Sequence, residues 1–350
     1  MWRKPWPSSF IMKLPSPTIL DPNSVPVLSW GIIGPGAIAE VFVGSVQKHT
    51  AQKVVAVASR TPGRAASFAT LFSIPHVAHD YDELVARADV DAIYVASYPK
   101  DHFAHAMLAI AAGKHVLVEK PITFHAHEAE QIFAAAEAAG VFAMEAMWTR
   151  YLPQFTLLQQ LLAEGSLGTP ELFVSQFCTD NRAVERLWTK GGGGILFDMG
   201  IYSVAVAQQF LGNPETVFAR GRVRPDGIDE ECSVSLTYSS GARAELVISG
   251  IASLPQLASC SFENAQIAIH APFFVPSGVT LSNKEFYPTS ETWRDETAVN
   301  GHEGLSYQAT AFASYVGEER GESPVHTRAD TIATIALMED IALQIGASTS

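Results

Sequence analysis

The chain has 350 residues, 36 of them acidic and 23 basic, and a formal net charge of −13 with histidine neutral. That balance excludes a nucleic-acid partner, whose phosphates require clustered Lys and Arg, and it disfavours an anionic membrane surface. With 47% apolar residues and no low-complexity run, the length is too great for one ordinary core and points to two domains.

Residues 1–26 are rich in proline and read as a flexible or extended arm. Arg3 and Lys4 imitate the start of a signal peptide, but prolines break every apolar run that would follow. Met12 is an alternative start. No later stretch is long and apolar enough to span a bilayer. From Val27 onward, strands and helices alternate. Strands are expected at Val27–Ile33, Lys53–Ser59, Asp91–Ser97, His115–Lys120 and Val141–Ala146, and helices at Ala37–His49, Gly63–Phe72, Asp101–Gly113 and His125–Gly140. The strand runs are short, β-branched and apolar on both faces, as in a parallel sheet covered by helices on each side. This is a doubly wound α/β Rossmann domain over residues 27–146, with its ligand beyond the carboxyl ends of the strands.

Gly34-Pro35-Gly36-Ala37-Ile38-Ala39 joins the first strand to the first helix and matches G-x-G-x-x-[GA]. Gly34 permits the tight turn, Gly36 a close backbone approach to a pyrophosphate, and Ala39 close helix–strand packing. The N–H groups of Ala37 and Ile38 open the helix toward the phosphates. The second strand ends in Ser59 and Arg60, with Arg64 following. A carboxylate for the ribose hydroxyls of NAD is missing, and two guanidiniums suited to a phosphate are present. NADP(H) is therefore favoured over NAD(H).

At the end of the fourth strand stand Glu119 and Lys120, where the binding crevice is expected. After residue 146 the rhythm changes to an amphipathic helix at 153–165 and strands at hairpin spacing, with turn signals such as Ser240-Gly241 and Pro225-Asp226-Gly227. Residues 147–350 read as an α+β domain built on an open, mostly antiparallel sheet. Its uncovered face suits a homodimer or homotetramer. A C-terminal helix at 328–346 closes the chain and is free to pack back on the first domain. Within "GGGGILFDMGIYSVAV", Asp198 and Tyr202 are four apart and share one helix face. Asp198 as a helix cap and Tyr202 as a packed aromatic is one reading. The other makes Tyr202 a proton donor whose pKa is lowered by the Lys120 ammonium.

Taken together, "GIIGPGAIAEVF", "AGKHVLVEKPIT" and "GGGGILFDMGIY" resemble the Gfo/Idh/MocA family of NAD(P)-dependent oxidoreductases. "MEAMWTRYLP", "RLW" at Arg186–Trp188, "ESP" at Glu322–Pro324 and the final "QIG" resemble its dimeric dihydrodiol dehydrogenase and NADP-dependent D-xylose dehydrogenase branch. The resemblance covers about Leu28 to Gly346. It implies that Lys120 and Tyr202 are the catalytic pair, that Asp198 lies by the substrate, and that Trp148 and Arg150 line the site near the nicotinamide. Relatives usually end the third strand T-P-N-x-x-H. Here Ser97-Tyr98-Pro99-Lys100-Asp101-His102 retains His102 beside the cofactor but places Tyr98 and Lys100 unusually.

Neither His102 with His105 nor His125 with His127 has an evident third ligand, so no metal is expected. Isolated Cys178, Cys232 and Cys260 read as reduced thiols of a cytoplasmic protein. The reading is an NADP(H)-dependent dehydrogenase or reductase acting on a small sugar, polyol or vicinal diol. An NAD-dependent glycoside hydrolase of the same family and a non-catalytic NADP(H)-binding regulator stand beside it.

Overall fold

The structure is a computed structural model that describes residues 13–348. The alternative start at Met12 lies outside the described residues, as does the arm up to that point. Residues 13–26 run without regular structure, tied to the second half of the chain. Leu14 N–H donates to Glu291, and Gln160 donates to the carbonyl of Ser16.

Six parallel strands form the first sheet: β1 (Ser29–Ile33), β2 (Lys53–Ala58), β3 (His76–Val77), β4 (Ala92–Val95), β5 (His115–Glu119) and β6 (Ala143–Ala146). Their spatial order is β3-β2-β1-β4-β5-β6, the Rossmann order with its switch point between β1 and β4. The helices between them are α1 (Ala37–His49), α2 (Arg64–Phe72), α3 (Tyr81–Ala86), α4 (His102–Ala111) and α5 (Ala126–Ala139). The expected pattern lacked β3 and α3. A two-residue strand carries no alternation, and α3 is a short helix announced only by its cap, Asp80, which accepts from Glu83 N–H at 2.8 Å.

The second half opens with α6 (Pro153–Ala163) and β7 (Pro170–Cys178) and passes through α7 (Ile201–Leu211). It continues through β8 (Thr216–Val223), β9 (Asp229–Thr237), β10 (Arg243–Ser249), β11 (Leu257–Phe262), β12 (Gln266–Ile269), β13 (Gly278–Ser282) and β14 (Ser290–Arg294). The order of the sheet is β14-β13-β12-β11-β7-β10-β9-β8, and β7–β10 is its parallel pair. Alternation sorts its faces. Phe173, Leu246, Val234, Cys260 and Ile267 point inward and are buried, whereas Val174, Val247, Phe218 and Leu257 stand exposed on the outer face.

Two late helices return to the first sheet. In α8 (Leu305–Gly317), Phe312 packs 4.9 Å from Trp30 of β1 and 5.1 Å from Phe142, and Trp30 and Phe312 have no exposed surface. Burying a large apolar side chain contributes about 1.5–3 kcal/mol, more than the surface ion pairs nearby. The last helix, α9 (Arg328–Ile345), lies across α5. Glu339 accepts from Ala126 N–H at 2.9 Å and pairs with His125 at 2.7 Å. His125 thus stands at the N-cap position of α5 without capping it through its side chain, and Glu339 of α9 takes the helix-end N–H in its place. Among the described residues, no helix is long and apolar enough to cross a membrane.

Candidate active site

The turn after β1 leaves room for a pyrophosphate. Gly34 has φ +85°, and a Cβ there would lie 2.7 Å from the Ser97 backbone nitrogen, so the turn requires glycine. Gly36 caps α1 without a side-chain bond, so the N–H groups at Ala37 and Ile38 meet no capping side chain. A Cβ at Gly36 would meet nothing nearer than Arg64 Nη2 at 3.8 Å. An open cradle, free helix-end donors and a guanidinium at its edge fit a dinucleotide phosphate.

The two arginines behave differently. Arg64 Nε donates to the Pro35 carbonyl at 2.8 Å and leans on the glycine turn. Arg60 is turned to Asp101 at 2.5 Å, an exposed pair. Ser59 Oγ accepts from Thr61 N–H. Tyr98 is half exposed, at the head of a short turn, Pro99–Asp101.

His102 is fully enclosed. Its ring nitrogens face the carbonyls of Pro121 at 2.8 Å and Ser97 at 3.0 Å, and burial pulls its pKa down to about 4. It clasps the loop after β4 to the loop after β5, with both ring nitrogens facing protein backbone. Ser97 Oγ bonds to His105 at 2.8 Å.

Lys120 follows the last residue of β5. Its Nζ donates to the Asp198 carbonyl at 2.8 Å and to Asp198 Oδ1 at 3.2 Å, and stands 5.0 Å from the centre of the Tyr202 ring. Arg186 grips the same carboxylate with Nη1 at 3.1 Å and Nη2 at 3.3 Å. Burial works to raise the Asp198 pKa, but Lys120 and Arg186 outweigh it and the net shift is downward. Burial likewise works against the Lys120 charge, yet Asp198 and the groups around it hold its pKa above the ordinary lysine value. The corner is therefore an ammonium, a carboxylate and a guanidinium. Beneath it, Glu119 is buried against Tyr94, which donates to Oε1, and burial pushes Glu119 up to about 7.

The Tyr202 hydroxyl accepts from the indole N–H of Trp148 at 2.9 Å. Here the structure corrects the expectation of a lowered phenol. Burial raises the Tyr202 pKa, and the opposing pull of Lys120 and Trp148 does not cancel it. The phenol is thus a proton-bearing group at neutral pH.

Tyr202, Phe274 and Phe177 pack as a wall, with Phe177 and Phe274 stacked at 4.5 Å. Trp148 meets both Tyr202 and Phe274 edge-on. Arg150 faces elsewhere. It is buried, burial lowers its pKa, and its charged surroundings are Asp330 and Glu145. Glu145 in turn accepts from Ile122 N–H at 2.9 Å and pairs with the buried His326 at 2.9 Å, holding the chain just beyond Lys120.

The segment carrying Asp198 is a π-helical turn, Leu196–Gly200, that runs into α7. It is seated by Asp229, whose Oδ2 accepts from Ile195 N–H at 3.1 Å and Leu196 N–H at 2.6 Å. Gly194, at φ +60°, leaves space for that carboxylate. Sequence reasoning missed Arg186, Asp229 and the aromatic wall. The R-L-W match named Arg186 without a role, and Asp229 follows a turn signal read only as a turn.

Fold and site together define an oxidoreductase of the dinucleotide-binding class. The comparisons agree. Residues 28–147 match the model of the oxidoreductase family with an NAD-binding Rossmann fold, and residues 155–269 match the GFO/IDH/MocA C-terminal domain. The chain is 32% identical to a trans-1,2-dihydrobenzene-1,2-diol dehydrogenase of Mus musculus over 91% of its own length and 97% of the relative's. It is 31% identical to the enzyme of the same name from Bos taurus, at the same coverages. A 3-ketoreductase from Actinomadura kijaniata, solved with NADP and TDP-benzene, superposes with TM-score 0.80 at 25% identity, covering 92% of this chain and 98% of the other. The chain belongs to the GFO/IDH/MocA oxidoreductase family.

Proposed function

We propose that this protein is an NADP(H)-dependent oxidoreductase that moves a hydride between nicotinamide and a hydroxyl-bearing carbon of a small sugar, polyol or vicinal diol. One observation carries the reading. The Lys120–Asp198 pair, the Tyr202 phenol and the Trp148 indole converge at the carboxyl end of β5, beside the dinucleotide cradle. A bound nicotinamide supplies the carbon that gives or takes hydride. In reduction, Tyr202 gives its proton to the substrate oxygen as charge develops there, and in oxidation the phenolate takes that proton back. Lys120, fixed as an ammonium by Asp198, steadies the phenolate and orients the oxygen. Asp198 and Arg186 bound the corner that receives the hydroxyl.

NADP(H) over NAD(H) rests on Ser59 in place of a carboxylate and on Arg64 at the glycine turn. Arg60 contributes once it exchanges Asp101 for a phosphate. The substrate class rests on the aromatic wall and on the names of the relatives. The enclosed, unpaired Cys178, Cys232 and Cys260 fit a reducing compartment, and we place the protein in the cytoplasm. The apolar side chains on the outer face of the larger sheet suit a second copy of the chain in a dimer or tetramer.

The decisive experiment is a fluorescence titration with NADPH and NADH, followed by absorbance assays on sugars and trans-dihydrodiols. Wild type is expected to bind NADPH more tightly and to turn over. Lys120→Ala is expected to bind NADPH as wild type does and to lose about 10²–10⁴-fold in kcat. Full turnover by that variant would refute the assignment. Sugar cleavage without net change in NADPH absorbance would indicate the glycosidase alternative, and tight binding with no turnover the regulator.

A further inference from the structure

A third polar group faces this crevice, and nothing in the reaction as described uses it. His302 lies in the short turn Gly301–Gly304 just before α8. Its imidazole stacks on Trp148, with ring centres 5.4 Å apart and planes 29° off parallel, and its edge meets Phe274 at 6.1 Å. The residue is exposed, and neither ring nitrogen has a hydrogen-bond partner among the described residues. It stands in the field of Lys120 and Asp198. A single indole therefore separates it from the Tyr202 hydroxyl, because Trp148 donates to that oxygen from its own edge.

The turn is firmly held. Glu303 closes a capping box with Asn300 and pairs with Lys48 at 2.5 Å and His49 at 2.9 Å on α1. Ser45 of α1 donates to the Glu303 carbonyl at 2.5 Å. Gly304 presses on Trp148, where an added Cβ would lie 2.9 Å from the indole. An exposed imidazole on a fixed backbone, with both nitrogens free, is placed to contact a ligand.

We infer that His302 is a substrate-contacting residue. It hydrogen-bonds a hydroxyl beyond both the one reacting at Tyr202 and its vicinal neighbour, so the site is fitted to a polyhydroxylated ring in preference to a simple dihydrodiol. A sugar ring offers its C–H face to the aromatic wall and a hydroxyl remote from the reacting carbon to the imidazole, whereas the second hydroxyl of a simple dihydrodiol is vicinal to the reacting one and stays on the Tyr202 side of the indole. This inference rests on the oxidoreductase reading above.

The test compares wild type with His302→Ala, His302→Phe and His302→Gln on D-xylose and on trans-1,2-dihydrobenzene-1,2-diol, with NADPH titrated by fluorescence. On D-xylose, the Ala and Phe variants are expected to lose about tenfold or more in kcat/KM, mainly through KM, as one lost hydrogen bond implies. Gln, which keeps a donor and an acceptor, is expected to recover most of that loss. On the dihydrodiol all four proteins are expected to agree within about threefold, with NADPH affinity unchanged. Wild-type efficiency of His302→Phe on D-xylose, or equal losses on both substrates, would overturn the inference while leaving the reaction intact. A wild-type protein inactive on both probes would overturn the inference together with the reading beneath it.

Discussion

The indole N–H of Trp148 is the one hydrogen bond that the Tyr202 hydroxyl receives among the described residues. Such a bond favours the phenolate, in opposition to the burial that raises the Tyr202 pKa. Trp148→Phe keeps the ring and removes the donor, so the phenol becomes still harder to ionise. The rise of kcat/KM for alcohol oxidation with pH is then expected to move upward by about one to two pH units, since a hydrogen bond to a charged group is worth about 1.5–3 kcal/mol. A pH–rate profile checks this, and an unmoved profile would detach Trp148 from the proton transfer. At this scale Lys120, Asp198 and Tyr202 were legible because a short motif fixes each to the end of one element. Arg186 and His302 were not. They reach the site from loops whose paths depend on contacts far away in sequence, such as those between Glu303 and α1.

Elements were legible where a pattern had room to repeat. The expected limits of α1 agree with the structure, and those of α2 agree to within one residue. Beyond β12, prolines and turn residues hid β13 and β14, and α8 lacks a strong polar face because it is buried among rings on several sides. The support of the π-helical turn before α7 was equally hidden. It depends on one carboxylate, Asp229, which burial raises to about 6, as it raises Glu119 to about 7. Folding strengthens proton binding at both groups, so their contribution to stability is full below about pH 4, near the unfolded carboxylate values. It is lost as pH rises through about 6 for Asp229 and about 7 for Glu119. Urea unfolding midpoints of wild type are therefore expected to fall between about pH 4 and 7, by the equivalent of about 3 kcal/mol per group at most. In Asp229→Asn and Glu119→Gln the corresponding part of that slope is expected to vanish. An unchanged slope in both variants would mean that neither carboxyl titrates as its surroundings dictate.

For the whole molecule, Val174, Val247, Phe218 and Leu257 lie exposed on one face of the eight-stranded sheet. Light scattering is expected to give a mass of two or four chains. A stable interface of this type buries about 800 Å² per partner, so a lysine at both Val174 and Val247 is expected to yield monomers. A monomeric wild type would refute the assembly. The two-part architecture was legible from the switch in rhythm near residue 146, and the last helix was read as free to pack back on the first domain, as α9 does against α5, but the return of α8 was not legible, because a change of pattern along the chain does not show which layers later pack together. That return has a consequence for how the protein is made. The last strand of the first sheet ends at Ala146, yet the helix that shields Trp30 begins only at Leu305. On the ribosome, the nucleotide-binding half emerges early with an aromatic flank still bare, and it must wait for the end of translation before that flank is sealed.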